Sequence, residues 1–283
     1  MLVFPNCKIN LGLIITGKRD DGYHDIETVF YPVRLNDVLE IIHSTGTDQP
    51  PATVFTHSGT EIAGEEKDNL CIKAWHLLKK DFPQLPAVKI HLHKVIPMGA
   101  GLGGGSADAA FMLIALNEKY ALGLSNDQLL SYALQLGSDC PFFIINTPCI
   151  ALGRGEILQS IHVDLSGYQL IMVNPGIHVH TQWAFSRVNI VAGELTKAAK
   201  HKLLQPVISQ PIANWKDRLT NDFEKPVFEK YPEVKAIKET LYKNGALFAS
   251  MSGSGSTVYG IFDSNTQYSF NFPENYLSLN ILL

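Results

Sequence analysis

The stretch Pro97-Met98-Gly99-Ala100-Gly101-Leu102-Gly103-Gly104-Gly105-Ser106 constrains this chain more than any other segment. An alternating run before it, Val88 to His93, reads as a strand. The run after it, Ser106 to Tyr120, carries apolar residues on nearly every face, the pattern of a helix buried all round. Glycines let backbone N–H groups reach an anion with no Cβ in the way, and a helix N-terminus adds unpaired donors and a positive dipole end. The segment is therefore built for phosphate, with a nucleoside triphosphate as its natural occupant. A Walker-type loop, G-x-x-x-x-G-K-[ST], is excluded because the required lysine is absent. Gly99, Gly101 and Gly104 do satisfy G-x-G-x-x-G, so a dinucleotide site stays open. That site expects a βαβ unit with an acidic residue ending the next strand, whereas here a second helix comes next.

The second helix starts at Ser125, where Gln128 completes a capping box, and Gly137 fits its stop. Pro141 then opens an expected strand, Phe142 to Ile145. Near the start of the chain, Ile9, Leu11, Leu13 and Ile15 alternate with Lys8, Asn10 and Gly12, which predicts a half-buried strand with Lys8 and Asn10 on one face. Asp21-Gly22 is a turn signal leading into the apolar stretch Thr28 to Val33, so an early hairpin is expected. Residues 44–68 read as turns and short strands, and a short helix is expected around Ala74 to Leu78. After about residue 160 the chain restarts with a strand at Tyr168 to Val173 and a polar, lysine-containing stretch near 193–220. Helical periodicity from Val234 to Leu241, a glycine-rich turn at Ser252 to Ser256 and an apolar strand at Val258 to Phe262 follow. The expected division is 1–160 and 161–283.

With 283 residues, 46% of them hydrophobic, the chain has enough apolar material for two medium domains. A net charge of -4 leaves no basic footprint for a nucleic-acid backbone, so nucleic-acid binding is excluded. No apolar run approaches the roughly 18 to 20 residues that a membrane helix needs, and the N-terminus lacks a signal-peptide layout. A cytoplasmic location with no membrane association is expected. Cys7, Cys71, Cys140 and Cys149 show neither C-x-x-C pairing nor zinc-like spacing, so free thiols are expected. Monomer and homodimer both stay open.

In order and spacing, Lys8-x-Asn10, Pro97 to Ala107, Gly137-Ser138-Asp139 and Met251-Ser252-Gly253-Ser254-Gly255-Ser256 resemble the signature regions of the GHMP kinase superfamily. Within it, Pro5-Asn6-Cys7-Lys8-Ile9-Asn10-Leu11, Asp21-Gly22-Tyr23-His24 and Asp68-Asn69-Leu70 are similar to the branch acting on a cytidine-diphosphate-linked sugar alcohol in non-mevalonate isoprenoid synthesis. One departure is Asp108, which stands where an uncharged polar residue is common in that branch.

The resemblance implies an α+β fold in two parts, an N-terminal domain like ribosomal protein S5 domain 2 and a C-terminal ferredoxin-like domain. It implies transfer of the γ-phosphate of ATP to the substrate's 2-hydroxyl, with ATP held along Pro97, Met98, Gly99, Ala100, Gly101, Leu102, Gly103, Gly104, Gly105, Ser106 and Ala107. Mg2+ would bridge the phosphates, with Ser106 as its candidate contact. Asp139 would accept or orient the hydroxyl proton, while Lys8 keeps Asp139 ionised and offsets developing charge. Tyr23, His24 and Phe185 would hold the cytidine, and Asn10, Asn69 and Lys94 the polyol and diphosphate. The residues alone also allow blander roles. Asp139, Asn69 and Ser106 would serve as helix caps, Lys8 and Lys94 would face water, and Phe185 would belong to the core.

Overall fold

The computed structural model describes residues 1–44, 53–62, 64–188 and 203–283. In chain order its elements are β1 (Leu2–Val3), β2 (Asn6–Lys18), β3 (His24–Asn36), β4 (Val38–His43), β5 (Val54–Gly59), α1 (Leu70–Asp81), β6 (Val88–Lys94), α2 (Gly104–Lys119), α3 (Asn126–Leu136) and α4 (Cys140–Ile145). There follow β7 (Cys149–Gly153), β8 (Ile157–Ser160), β9 (Tyr168–Asn174), α5 (Thr181–Arg187), α6 (Gln205–Ile208), α7 (Glu224–Lys230), α8 (Pro232–Lys243), β10 (Phe248–Met251), β11 (Val258–Asp263) and β12 (Leu277–Leu282). The expected α+β class holds. Two compact units share the chain: 1–7, 35–98 and 103–146 form one, and 8–34, 99–102 and 147–283 form the other.

The first unit is built on a four-stranded sheet in the order β1-β4-β6-β5. Strand β6 pairs antiparallel with β4, Ile90 opposite Ile41, and parallel with β5, Ile90 opposite Phe55. Its period of two puts Val88, Ile90, Leu92 and Lys94 on the buried face. Against that face pack Trp75 and Leu78 of α1, Met112, Leu113 and Leu116 of α2, and Leu129 of α3. Each large apolar side chain buried here contributes about 1.5–3 kcal/mol. Helix α2 touches α1, α3 and α4, and Ala107, Ala109, Ala110 and Ala115 let those neighbours come close, which is why its sequence is apolar all round. The predicted helix around Ala74 to Leu78 extends over the whole of α1, because Asn69 caps it by accepting from Cys71 N at 2.9 Å. Helix α3 begins on the predicted capping box and ends at Gly137.

Phe142 to Ile145 is not the predicted strand. It lies in the six-residue helix α4, with Asp139 at the N-cap position and Pro141 in the first turn. Proline's missing N–H is unneeded in a first turn, and a short apolar run fits a buried helix as well as a strand.

The second unit holds a sheet in the order β2-β3-β7-β8 and another in the order β10-β11-β9-β12. The β2–β3 hairpin turns at Asp21-Gly22, where Arg19 N donates to Tyr23 O at 2.8 Å. Strand β2 is buried on both faces from Lys8 to Leu13, so Lys8 and Asn10 do not face water. Helix α8 covers β10 and β11, with Val234, Ile237 and Leu241 joining Ile171, Val173 and Phe262 in a second core. Of the polar stretch near 193–220, residues 193–202 lie outside the described residues, and the rest carries α6 and a short 3-10 turn at Ile212–Asn214.

Candidate active site

The glycine-rich segment takes shapes that a side chain would prevent. Gly101 has φ +80, and a Cβ there would stand 1.9 Å from Ser252 O. At Gly104 a Cβ would stand 2.9 Å from both Ile96 Cγ2 and Lys94 Nζ. Helix α2 begins after Gly103, which sits in the left-handed region at the N-cap, and no side chain caps the helix. Ser106 is thus not the cap but lies within the first turn, where N–H groups have no intrahelical acceptors and the dipole favours an anion. Since α3 follows α2 with no strand between, the βαβ unit of a dinucleotide site is missing.

Beside this first turn, within the same unit, is a cavity of about 140 Å3 whose walls include Phe55, His57, Asn69, Met98, Gly105 and Asp108. An apolar cavity of about 150 Å3 accommodates benzene, so a planar ring fits such a space. The structure therefore gathers the predicted residues Asn69, Met98 and Gly105 around one recess.

Lys94 pairs with Asp108 of that lining. Its ammonium is buried and ion-paired with Asp37 and, at 2.7 Å, with Asp108. Asp37 Oδ1 also accepts from Val95 N and Ile96 N, at 2.6 and 2.9 Å. Burial works against the charge on Lys94, but Asp108 and then Asp37 outweigh it and hold the ammonium above its ordinary range. Asp108 moves the other way from a salt-bridged acid. Burial, reinforced by the neighbouring Asp37 charge against the pull of Lys94, pushes its carboxyl up to about 7. Asp139 lies just before α4, and its side chain makes no capping bond to that helix. Burial pushes the adjacent Cys140 thiol up to about 12 against a lowering hydrogen bond from Ser106, so this cysteine is not activated. All four cysteines are buried free thiols.

In the other unit, Lys8 is 3% exposed. Its Nζ donates to Asn10 Oδ1 at 2.6 Å and to Gly101 O at 3.1 Å, and stands 5.0 Å above the Phe30 ring. The Asn10 amide is oriented from its other end by donating to Thr28 Oγ1 at 2.8 Å. Its backbone is held too: Asn10 O accepts from Tyr259 OH at 2.7 Å, and Asn10 N donates to Ser252 Oγ at 3.2 Å. Ser252 Oγ in turn donates to Gly101 O at 2.8 Å. The late glycine-rich turn thus fastens 99–102 to β2. Asn221 braces that turn by donating to Met251 O and Gly253 O, each at 2.8 Å.

A third group sits at the start of β3. The rings of His24 and Phe185 stack at 4.8 Å and 10°, and Phe185 meets Phe223 edge-on. Tyr23 exposes 55% of its surface, with the Arg154 guanidinium 4.9 Å over its ring. Burial, with help from the charge of Lys18, lowers the His24 pKa. Neutral imidazole then offers one donor and one acceptor nitrogen. Arg154, Asn221 and Asp37 were not singled out in the sequence. Gly153-Arg154-Gly155 carries a turn signal, but nothing local pairs it with Tyr23, 131 positions earlier.

Residues 69–147 match the GHMP kinases N terminal domain, and residues 202–269 match the GHMP kinases C terminal domain. The chain is 51% identical over 262 residues to the 4-diphosphocytidyl-2-C-methyl-D-erythritol kinase of Bacteroides fragilis, covering 93% of this chain and 92% of that one. It is 48% identical to the same kinase of Cytophaga hutchinsonii over 97% of this chain and 96% of that one. Among solved structures, a 4-(cytidine 5'-diphospho)-2C-methyl-D-erythritol kinase superposes with a TM-score of 0.74 at 30% identity, over 92% of this chain and 90% of that chain. The mevalonate kinase of Methanococcus jannaschii shares the fold, with a TM-score of 0.70 at 14% identity over 94% and 92%.

Proposed function

The chain belongs to the 4-diphosphocytidyl-2-C-methyl-D-erythritol kinases of the GHMP kinase superfamily, and from this we infer that it transfers the γ-phosphate of ATP to the 2-hydroxyl of 4-diphosphocytidyl-2-C-methyl-D-erythritol, a step in non-mevalonate isoprenoid precursor synthesis. The observation that carries the reading is near-full-length similarity to these kinases at about half identity. The uncapped, glycine-flanked start of α2 is the phosphate cradle that such a reaction needs.

Phosphoryl transfer asks little covalent help of a protein beyond positioning and charge. We assign Asp139 to accept or orient the proton of the acceptor hydroxyl, and Lys8 to offset charge that develops on the transferring group. Buried on Asn10, Gly101 O and the Phe30 face, Lys8 has one orientation rather than many, which suits that role. Asn10 acts at the polyol by holding Lys8. The segment from Pro97 to Ala107 takes the triphosphate, and the recess lined by Asn69 and Met98 takes the base, so Asn69 serves the nucleotide. Lys94 reaches it indirectly, through Asp108.

For the cytidine end, exposed Tyr23 supplies a stacking face, and neutral His24, kept flat by Phe185, reads the pyrimidine edge. Mg2+, carried on the ATP phosphates with Ser106 as its protein oxygen, would neutralise phosphate charge. Among the described residues no three His, Cys, Asp or Glu side chains gather for a metal. No helix among the described residues is long and apolar enough to cross a membrane. The four free thiols favour a reducing cytoplasm.

The test is ADP release with Mg-ATP and either 4-diphosphocytidyl-2-C-methyl-D-erythritol or the polyol phosphate lacking cytidine. Turnover with the cytidylated compound alone is expected. Equal turnover with both would overturn the cytidine assignment, and turnover with neither would overturn the substrate.

A further inference from the structure

Within the first unit, strand β6 places His91 and His93 two residues apart, on the face opposite the buried Ile90, Leu92 and Lys94. Its parallel partner β5 sets Thr56 beside His91 and Ser58 beside His93. Ser58 Oγ lies 2.9 Å from His91 Nε2 and 3.0 Å from His93 Nδ1. Two ring nitrogens thus converge on one hydroxyl, which has a single proton to give. It satisfies at most one of them as an acceptor, and the other must carry its own proton.

Thr56 sets the tautomer of His91. Its Oγ1 donates to Ile90 O at 3.3 Å and so accepts from His91 Nδ1 at 2.8 Å, which leaves the Nε2 lone pair turned toward Ser58. A metal-binding histidine is oriented in the same way, its second nitrogen donating to a fixed acceptor. His93 is exposed, so its proton can sit on Nε2 in water and free Nδ1. Both nitrogens already lie within 3.0 Å of one atom, and a modest rotation of each ring brings them to the roughly 2.0–2.1 Å of a Zn–N bond.

We propose that His91 Nε2 and His93 Nδ1 form a binding site for a nitrogen-preferring divalent transition-metal ion, of which Zn2+ is the probe, with Ser58 and water completing the coordination and Thr56 as the positioning residue. Imidazole suits such ions, whereas Mg2+ takes oxygen ligands, so this site is separate from the metal carried on ATP. The chain's other pair of histidines two residues apart, His178 and His180, packs ring edge against ring face at 4.6 Å and 83°. It therefore serves as the control.

Calorimetric titration of the untagged chain with Zn2+ tests this. One Zn2+ is expected to bind per chain, with no competition from Mg2+, and the absence of saturable binding would overturn the proposal. His91→Asn and His93→Asn should each lower the affinity by about tenfold or more, and Thr56→Val, which keeps both ligands but frees Nδ1, by about tenfold. His178→Asn should leave it unchanged. Binding that survives both β6 substitutions, or that is lost with His178→Asn, would contradict the assignment, and an unchanged affinity in Thr56→Val would count against the tautomer on which the site rests. The melting temperature of each variant without Zn2+ shows whether it is folded, so that lost binding is read only from folded protein.

Discussion

The chain has two glycine-rich segments, 97–106 and 251–256, and they use glycine for opposite ends. The first runs into the sixteen-residue helix α2, whose start no side chain caps. The second joins two strands, β10 and β11, and its polar groups are spent on other backbone: Ser252 Oγ on Gly101 O and Ser252 N on Thr257 O. On the proposed function the first segment makes room for a ligand's oxygens, while the second makes room for the first. Gly101 is where they meet, since its missing Cβ is what Ser252 O approaches. Glycine content alone therefore does not mark a phosphate site, and the proposal for the first segment rests on its ending in an uncapped helix.

The comparison breaks most severely at Gly101. Gly101→Val adds a side chain at φ +80 against Ser252 O, so ADP release should fall a hundredfold or more, with a lower melting temperature. Near-normal turnover would mean that the two segments need not touch. A smaller effect comes from Asp108 of α2, just past the first segment. Its folded pKa of about 7 lies above the ordinary 3.8, so its contribution to stability is fully present below about pH 4 and is lost as pH rises through about 7. Asp108→Asn should remove that slope, so the wild type loses stability relative to the variant between pH 4 and pH 8 in urea unfolding. A difference that does not change with pH would contradict the raised pKa.

Ser252→Ala sharpens the buttressing role. It removes the acceptor of Asn10 N and one of the two donors to Gly101 O, which keeps Lys8 Nζ, so stability should drop by about 1–2 kcal/mol and turnover by severalfold, with ATP affinity less affected. Unchanged stability would make the contact incidental. Ser254→Ala is the control within the same turn. Its hydroxyl meets Thr181 Oγ1 at 3.0 Å in an exposed position, so the change should stay within about 0.5 kcal/mol. A larger loss would show that the second segment does more than brace.

Features set by neighbours along the chain were legible in the sequence. The capping box at Ser125 and Gln128, the Asp21-Gly22 turn and the strand-loop-helix order around residue 100 are all local, and all stand in the structure. Helix α4 was not legible, because six apolar residues are too few to separate a period of 3.6 from one of two. Lys94 was half legible. Its alternation with Ile90 and Leu92 already puts it on the buried face, but nothing nearby reveals Asp37, 57 positions earlier, as the partner that makes burial tolerable. The same holds for Ser252 with Asn10, 242 positions apart, and for Phe185 against His24. Family resemblance could point to such residues, but only the fold says which of them share a locale.

The account turns on Asp139 acting in chemistry and not as the cap of α4. The most direct measurement is ADP release by Asp139→Asn beside its affinity for ATP. The account predicts turnover lower by about 10²-fold or more with ATP affinity and melting temperature unchanged. Retention of most of the activity would contradict it.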